Sequence, residues 1–118
     1  MIKLAVPLPP STNHAYFYKG GKRIKTTKTK AYEERVRNIV NAMNFKMLPH
    51  KEKIIMELYF YFPDHRIRDT HNMEKILLDC LQKILYENDY WVLPRIMDFE
   101  IVPENARVDL ALYLKEGA

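Results

Sequence analysis

The sequence has 118 residues, of which 47% are hydrophobic and only three are glycine. These values predict one domain, residues 1-118, with a modest hydrophobic core, and they exclude a disordered or fibrous protein. The formal net charge is +4, but residues 1–32 contain no acidic residue and carry +7, which leaves −3 for the rest.

The first third of the chain predicts a strand, a charged connection and a helix. Hydrophobic residues alternate over residues 2–8, which is typical of a half-buried strand, and two prolines follow. Turn-forming residues at Ser11–Asn13 and Gly20–Gly21 predict a loop or a short hairpin that carries most of the positive charge. Helical spacing of apolar residues from Thr29 to Met43 predicts the first helix.

The rest of the chain predicts a central strand, a helix and two further strands. Strict alternation over residues 53–62 indicates the central strand, and apolar residues at helical spacing over residues 73–85 indicate the helix. Strands Arg95–Val102 and Arg107–Leu114 are joined by a turn at residues 103–106. The predicted fold class is α+β, a single small domain with the order β-α-β-α-β-β, a mixed sheet and two helices.

Two further features bear on the cellular compartment. The N-terminal segment MIKLAVPLPP lacks the apolar run of a signal peptide or a membrane span, so we expect a cytoplasmic protein without membrane contact. Cys80, the single cysteine, cannot form an internal disulfide and is interpreted as a buried hydrophobic residue.

The start of the second helix concentrates chemically active side chains. Asp69 stands where a helix N-cap belongs, and capping alone would explain it. His71, Asn72 and Lys75 are related by i, i+3 and i, i+4 spacing, so they share one polar face just beyond Asp69. This pattern is compatible with a solvated face or with a pocket that binds phosphate and metal.

A second acidic cluster follows the same helix. Asp89 lies with Glu87 and Asn88 in the sequence YENDYW, which on its own would be an ordinary loop. A helix of about 14 residues spans about 20 Å. Asp89 could therefore reach Asp69 only if the fold or a partner chain brought it there.

The motifs VPLPPSTNHAY, RDTHNMEKILLDCL and LYENDYWV together resemble those of the RusA-type Holliday junction resolvases. That family pattern runs LPxPPSxN, then RDxDNxxK, then a closing acidic cluster, and the resemblance covers residues 6–92. It implies a RusA-like fold and a small, basic, homodimeric, magnesium-dependent endonuclease that cuts four-way DNA junctions. It also implies site roles: catalytic Asp69, His71, Lys75 and Asp89, metal ligands Asp69, His71 and Asp89, and supporting Asn13 and Asn72.

His71 departs from the family pattern, which has an aspartate at this position. An imidazole removes a negative charge and a hard oxygen ligand, although it still binds Mn²⁺, Zn²⁺ or Ni²⁺. Asn88 stands where the family often has an acid, which depletes the site further. The expected cofactor is Mg²⁺, with Mn²⁺ possible, and the substitution predicts either a changed metal preference or a site that binds DNA without cutting it.

The basic residues predict a nucleic-acid interface, with a solvated loop as the alternative. Tyr16, Phe17 and Tyr18 mix aromatic faces with cations, which suits contacts to phosphates and unstacked bases, although these aromatics could instead belong to the core. The predicted DNA-binding residues are Lys19, Lys22, Arg23, Lys25, Lys28, Lys30, Arg66 and Arg68.

Three functions are compatible with these features. The first is a metal-dependent endodeoxyribonuclease that resolves Holliday junctions or related branched DNA in recombination and repair. The second is a catalytically weakened junction-binding module of the same fold. The third is a protein-interaction domain whose basic loop binds an acidic partner.

Overall fold

A four-stranded sheet and two long helices make up most of the structure, a computed structural model that describes residues 1–116, apart from the side chains of Thr12 and Asn13. The predicted α+β order is confirmed, with a hairpin added before the first long helix. The elements are β1 (Ile2–Val6), α1 (Thr12–Ala15), β2 (Tyr16–Lys19), β3 (Lys22–Lys25), α2 (Thr27–Met43), β4 (Ile54–Phe62), α3 (Thr70–Leu81), β5 (Val92–Ile101) and β6 (Arg107–Leu114).

The sheet is mixed, with the strand order β1-β6-β4-β5. β4 pairs parallel with β5 and antiparallel with β6, so it is central as predicted. A parallel pair needs a crossover connection, and α3 lies in that connection. Alternate residues of β4, from Ile54 to Phe62, are buried, because successive side chains of a strand point to opposite faces.

The core forms where these buried strand residues meet α2 and α3. Val36 and Val40 of α2 and Leu77 and Leu81 of α3 belong to the same buried cluster as the strand residues. The predicted apolar face of α3 is therefore confirmed. The helix ends at Leu81 rather than near residue 85, because Gln82 is extended and Lys83 adopts a positive φ of 72°.

The bounds of β1 and β5 differ from the predicted bounds, and a proline lies at each difference. β1 ends at Val6, two residues early, because Pro7 has no N–H to donate to a strand ladder. β5 begins at Val92 and includes Pro94, which is tolerated because β5 is an edge strand. Among the described residues, no helix is long and apolar enough to cross a membrane.

The charged connection forms the two-stranded hairpin β2–β3 rather than an open loop. Gly20 and Gly21 both have positive φ, which a tight hairpin turn requires. Thr29 fixes the base of the hairpin, since its buried hydroxyl donates to the Ala15 carbonyl at 2.7 Å. The hairpin therefore leaves the body of the protein at a defined position.

Candidate active site

A cavity of about 520 Å³ lies where the loop after β4 meets the N-terminal end of α3. The loop after β1 closes its other side. In open α/β sheets, crevices beyond the carboxyl ends of strands are the usual ligand sites. Its polar lining comes from Ser11, His14, Arg66, Arg68, Asp69 and Asn72.

Asp69 caps α3 and lines this cavity. Its Oδ1 accepts the backbone N–H groups of His71 at 3.0 Å and Asn72 at 3.2 Å, so the predicted N-cap is confirmed. Its Oδ2 accepts the side-chain amide of Asn72 at 2.7 Å. A carboxylate offers about four lone-pair sites, so these three bonds orient Asp69 and leave one site for a ligand.

Arg68 organises the loop before α3. Its guanidinium is paired with Asp64 at 2.9 Å, donates to the backbone carbonyls of Asp64 and Arg66, and lies 4.9 Å from the centre of the Phe62 ring. The Arg66 backbone N–H and then the Arg68 side chain lower the pKa of Asp64. The side chain of Arg68 is only 15% exposed, so this predicted DNA-binding residue holds the loop, and Arg66 is the more accessible cation.

The predicted basic interface includes the hairpin and the start of α2. Lys19 and Lys22 are exposed beside the hairpin turn, and Lys28 and Lys30 are exposed in the first turn of α2. Cations at a helix N-terminus oppose the helix dipole, and this turn has no acidic residue to offset them. The arrangement concentrates positive potential at a cost in stability, as expected of a surface that binds a polyanion.

Arg23 and Lys25, two of the predicted basic residues of the hairpin, also make contacts within the protein. Arg23 lies 4.3 Å from the centre of the Tyr16 ring. Lys25 is paired with Glu33 at 2.7 Å and with Asp79 at 3.5 Å, and its side chain is 36% exposed. Burial alone would lower the pKa of Lys25, but the two carboxylates outweigh burial and raise it. Lys25 therefore attaches the hairpin to α2 and α3.

Two of the predicted helix residues lie outside the cavity lining. Asn72 lines the cavity, whereas His71 and Lys75 are exposed on α3 and are not among the described lining residues. Over residues 1–116, apart from the two undescribed side chains, no three His, Cys, Asp or Glu side chains gather closely enough to hold a metal ion. Asp69 is the one carboxylate among the described residues that line the cavity.

Asp89 lies at the opposite end of α3 from Asp69. It begins a single 3-10 turn, Asp89–Trp91, and its backbone N–H donates at 2.9 Å to the side chain of Gln82, the residue that follows α3. The twelve residues of α3 span about 18 Å. Within one chain, the fold does not bring the two predicted metal ligands together.

A sequence model of the family Endodeoxyribonuclease RusA matches residues 7–113, which is nearly the whole chain. The chain belongs to this family. Three similar RusA relatives are the "Crossover junction endodeoxyribonuclease RusA" proteins of Escherichia coli K12, Escherichia coli O6:H1 strain CFT073 and Shigella sonnei Ss046. Each is 31% identical over 101 residues, which cover 84% of this chain and 79% of the relative.

The RusA match confirms the resemblance of the motifs, and it spans both ends of α3 together with the basic hairpin. The structure also adds two residues to the cavity that were not predicted as site residues, Ser11 and His14, although both lie in the VPLPPSTNHAY motif. His14 directly follows the predicted supporting residue Asn13, whose side chain lies outside the described part of the structure. The proximity of this segment to Asp69 is a tertiary contact, so only the proline-rich motif itself could have indicated it.

Proposed function

We propose that this RusA-family chain is a metal-dependent endodeoxyribonuclease of the cytoplasm that cuts Holliday junctions or related branched DNA in recombination and repair. The proposal rests on the cavity of about 520 Å³ that Asp69 lines, here called the Asp69 cavity. A carboxylate held by three hydrogen bonds lines the same cavity as Arg66, and the chain runs from His14 on its wall into the basic hairpin. A fixed carboxylate beside accessible cations suits a metal-assisted site that binds phosphates, and this supports the proposal.

Asp69, His71 and Asp89 are the proposed ligands of a divalent cation, Mg²⁺ or Mn²⁺. When bound, such an ion polarises a phosphate oxygen and lowers the pKa of an attacking water. Asp69 contributes a fixed carboxylate because Asn72 and the first turn of α3 hold it. Lys75, one turn further along α3, is the proposed cation that stabilises charge developing on the phosphate.

A homodimer completes the proposed site. Asp69 and Asp89 lie at opposite ends of α3, so the Asp89 that joins Asp69 in this proposal is Asp89 of the partner subunit. Two-fold symmetry would then create two identical sites, one for each of two opposed strands of a junction. The cavity has Asp69 as the one carboxylate among its described lining residues, which supports this arrangement.

Cleavage of a synthetic four-way junction tests the proposed function. We expect nicking of the junction but not of a linear duplex of the same sequence, and more activity with Mn²⁺ than with Mg²⁺, because imidazole suits Mn²⁺ better. His71→Asp restores a hard oxygen ligand and should raise the Mg²⁺-supported rate relative to the Mn²⁺-supported rate. Equal cleavage of duplex and junction would contradict the proposed substrate. If His71→Asp leaves the ratio of the Mg²⁺-supported to the Mn²⁺-supported rate unchanged, His71 is not a metal ligand.

The salt dependence of junction binding separates the two kinds of hairpin lysine. Lys22→Ala should lower the slope of log Kd against log salt by about 0.9, the value for one lost phosphate contact. Lys25→Ala should change this slope less and should lower the melting temperature more, because Lys25 joins the hairpin to Glu33 and Asp79. Titrations between about 50 and 300 mM salt measure the slopes. Equal slope changes for the two variants would mean that Lys25 also contacts a DNA phosphate.

A junction-binding protein without nuclease activity is the second candidate. His71 at the position of a family aspartate is the observation that favours it, because the substitution removes one negative charge from the proposed metal site. Specific binding of the junction without nicking in either Mg²⁺ or Mn²⁺ would establish this function instead.

A further inference from the structure

A second cavity, of about 290 Å³, lies beside the Asp69 cavity and is here called the Phe99 cavity. Phe62 at the end of β4 and Phe99 and Ile101 near the end of β5 provide its apolar surface. The loop between β4 and α3 covers it. Both cavities share Arg66, Ile67 and Arg68 in their linings, so this short segment separates them.

The Phe99 cavity presents apolar surface to solvent. Ile67 is 98% exposed and Phe99 is 62% exposed, and the Phe99 ring centre lies 6.3 Å from that of the buried Phe62. A contiguous exposed apolar surface beside a polar rim is typical of a binding site. His65 and Arg66 supply that rim, and both are exposed.

We propose that the Phe99 cavity binds one unpaired nucleobase next to the branch point. The base stacks on the Phe99 ring and contacts Ile67, and its phosphate lies beside Arg66, at the segment shared with the Asp69 cavity. The inference deepens the proposed function and rests on it. The volume of the Phe99 cavity, about 290 Å³, lies just below the range of about 300–1,000 Å³ for sites of drug-sized ligands. A cavity of this size suits one planar base rather than a duplex.

Charge favours a nucleotide over a second copy of this chain. Arg66 on the rim is 79% exposed. A second copy of this chain carries the same net charge of +4, so it has no net electrostatic attraction to this cationic rim. A nucleotide offers the complementary arrangement, an aromatic face for Phe99 and a negative phosphate for the rim.

The affinity of the protein for a fluorescently labelled four-way junction, measured in EDTA to prevent cleavage, tests the inference. Phe99→Ala should weaken binding by about 5- to 160-fold, the range expected for one lost base–aromatic stack. Phe99→Tyr should retain the affinity, because it keeps the ring. Ile67→Ser should weaken binding less but measurably. Because Ile67 is 98% exposed, this change removes almost no packing within the protein. Met97→Ala is the matched control on the same strand and should bind normally.

Junctions with a single abasic nucleotide at each branch-flanking position identify the base. At one position, the abasic junction should bind the wild-type protein as weakly as the intact junction binds Phe99→Ala. The same abasic junction should bind Phe99→Ala no more weakly than the intact junction does. Independent effects at every position would overturn the inference. So would conversion of a dimer to a monomer by Phe99→Ala in sedimentation, since that would assign the cavity to a second copy.

A forked duplex with single-stranded arms separates this inference from the proposed function. If Phe99→Ala weakens binding to the fork but the wild-type protein cuts no junction, the base site stands and the nuclease function fails. If the wild-type protein cuts junctions and Phe99→Ala binds them normally, the nuclease function stands and the base site is wrong.

Discussion

Asp69→Asn is expected to abolish junction cleavage while the fold and the affinity for junctions persist. Asparagine caps a helix about as well as aspartate, so its side-chain oxygen can still accept the two backbone N–H groups of the first turn of α3. The change removes the negative charge that the proposed cation needs. A metal ion contributes several kcal/mol to a phosphoryl transition state, so we expect a loss of at least about 10³-fold in rate.

The control for this prediction removes an equal charge elsewhere. Glu104→Gln lies in the exposed turn between β5 and β6, and it should cleave at the wild-type rate. Thermal melting and junction affinity of both variants verify that the protein is folded and binds. If Asp69→Asn cleaves as fast as wild type, Asp69 is only a cap, and the Asp69 cavity loses its proposed role.

A mixed dimer of Asp69→Asn and Asp89→Asn chains is expected to recover cleavage that neither variant shows alone. If each site combines Asp69 of one chain with Asp89 of the other, the mixed dimer has one site with both substitutions and one intact site. If each site were built within one chain, both sites of the mixed dimer would be damaged. If the two variants pair at random, about half of the dimers are mixed, and each mixed dimer has one intact site of two. The mixture should therefore contain about a quarter of the wild-type number of intact sites.

Co-expression with two different affinity tags isolates the mixed dimer for this experiment. The preparation should nick one junction strand rather than cut both, because only one site works. A mixed dimer of the Asp69→Asn chain with a chain that carries both substitutions is the matched control and should be inactive. An inactive mixed dimer from two folded, junction-binding variants would contradict the shared site.

Local sequence patterns predicted the elements that depend on local physics. Strict alternation placed β4 within one residue, because this strand has one buried face, and the predicted bounds of β6 are confirmed. The cap at Asp69 was predictable because capping involves only the next three residues. Periodicity overextended α3, since a helical pattern of apolar residues continues through Ile84 and Leu85 although the backbone turns at Lys83.

Contacts between distant segments could not be predicted in this way. The pairing of Lys25 with Glu33 and Asp79 depends on how the hairpin packs against both long helices, and a lysine in a basic segment looks the same whether it is free or paired. The parallel pairing of β4 with β5 also depends on the crossover rather than on either strand. The helix length indicated that Asp89 cannot reach Asp69 along α3, but it left open whether the fold or a partner chain brings them together.

The position of β6 between β1 and β4 has a consequence for how the protein assembles during its synthesis. Of the strands described, β6 is made after all the others, yet it pairs with β1 along five residues and with β4 along eight. β1 therefore has no sheet partner until β6 is available, and joining them closes a loop that spans nearly the whole chain. Closing such a loop is entropically costly and slow. The four-stranded sheet can thus be completed only after β6 has left the ribosome, so stalled or truncated chains that lack β6 would expose the edges of both β1 and β4.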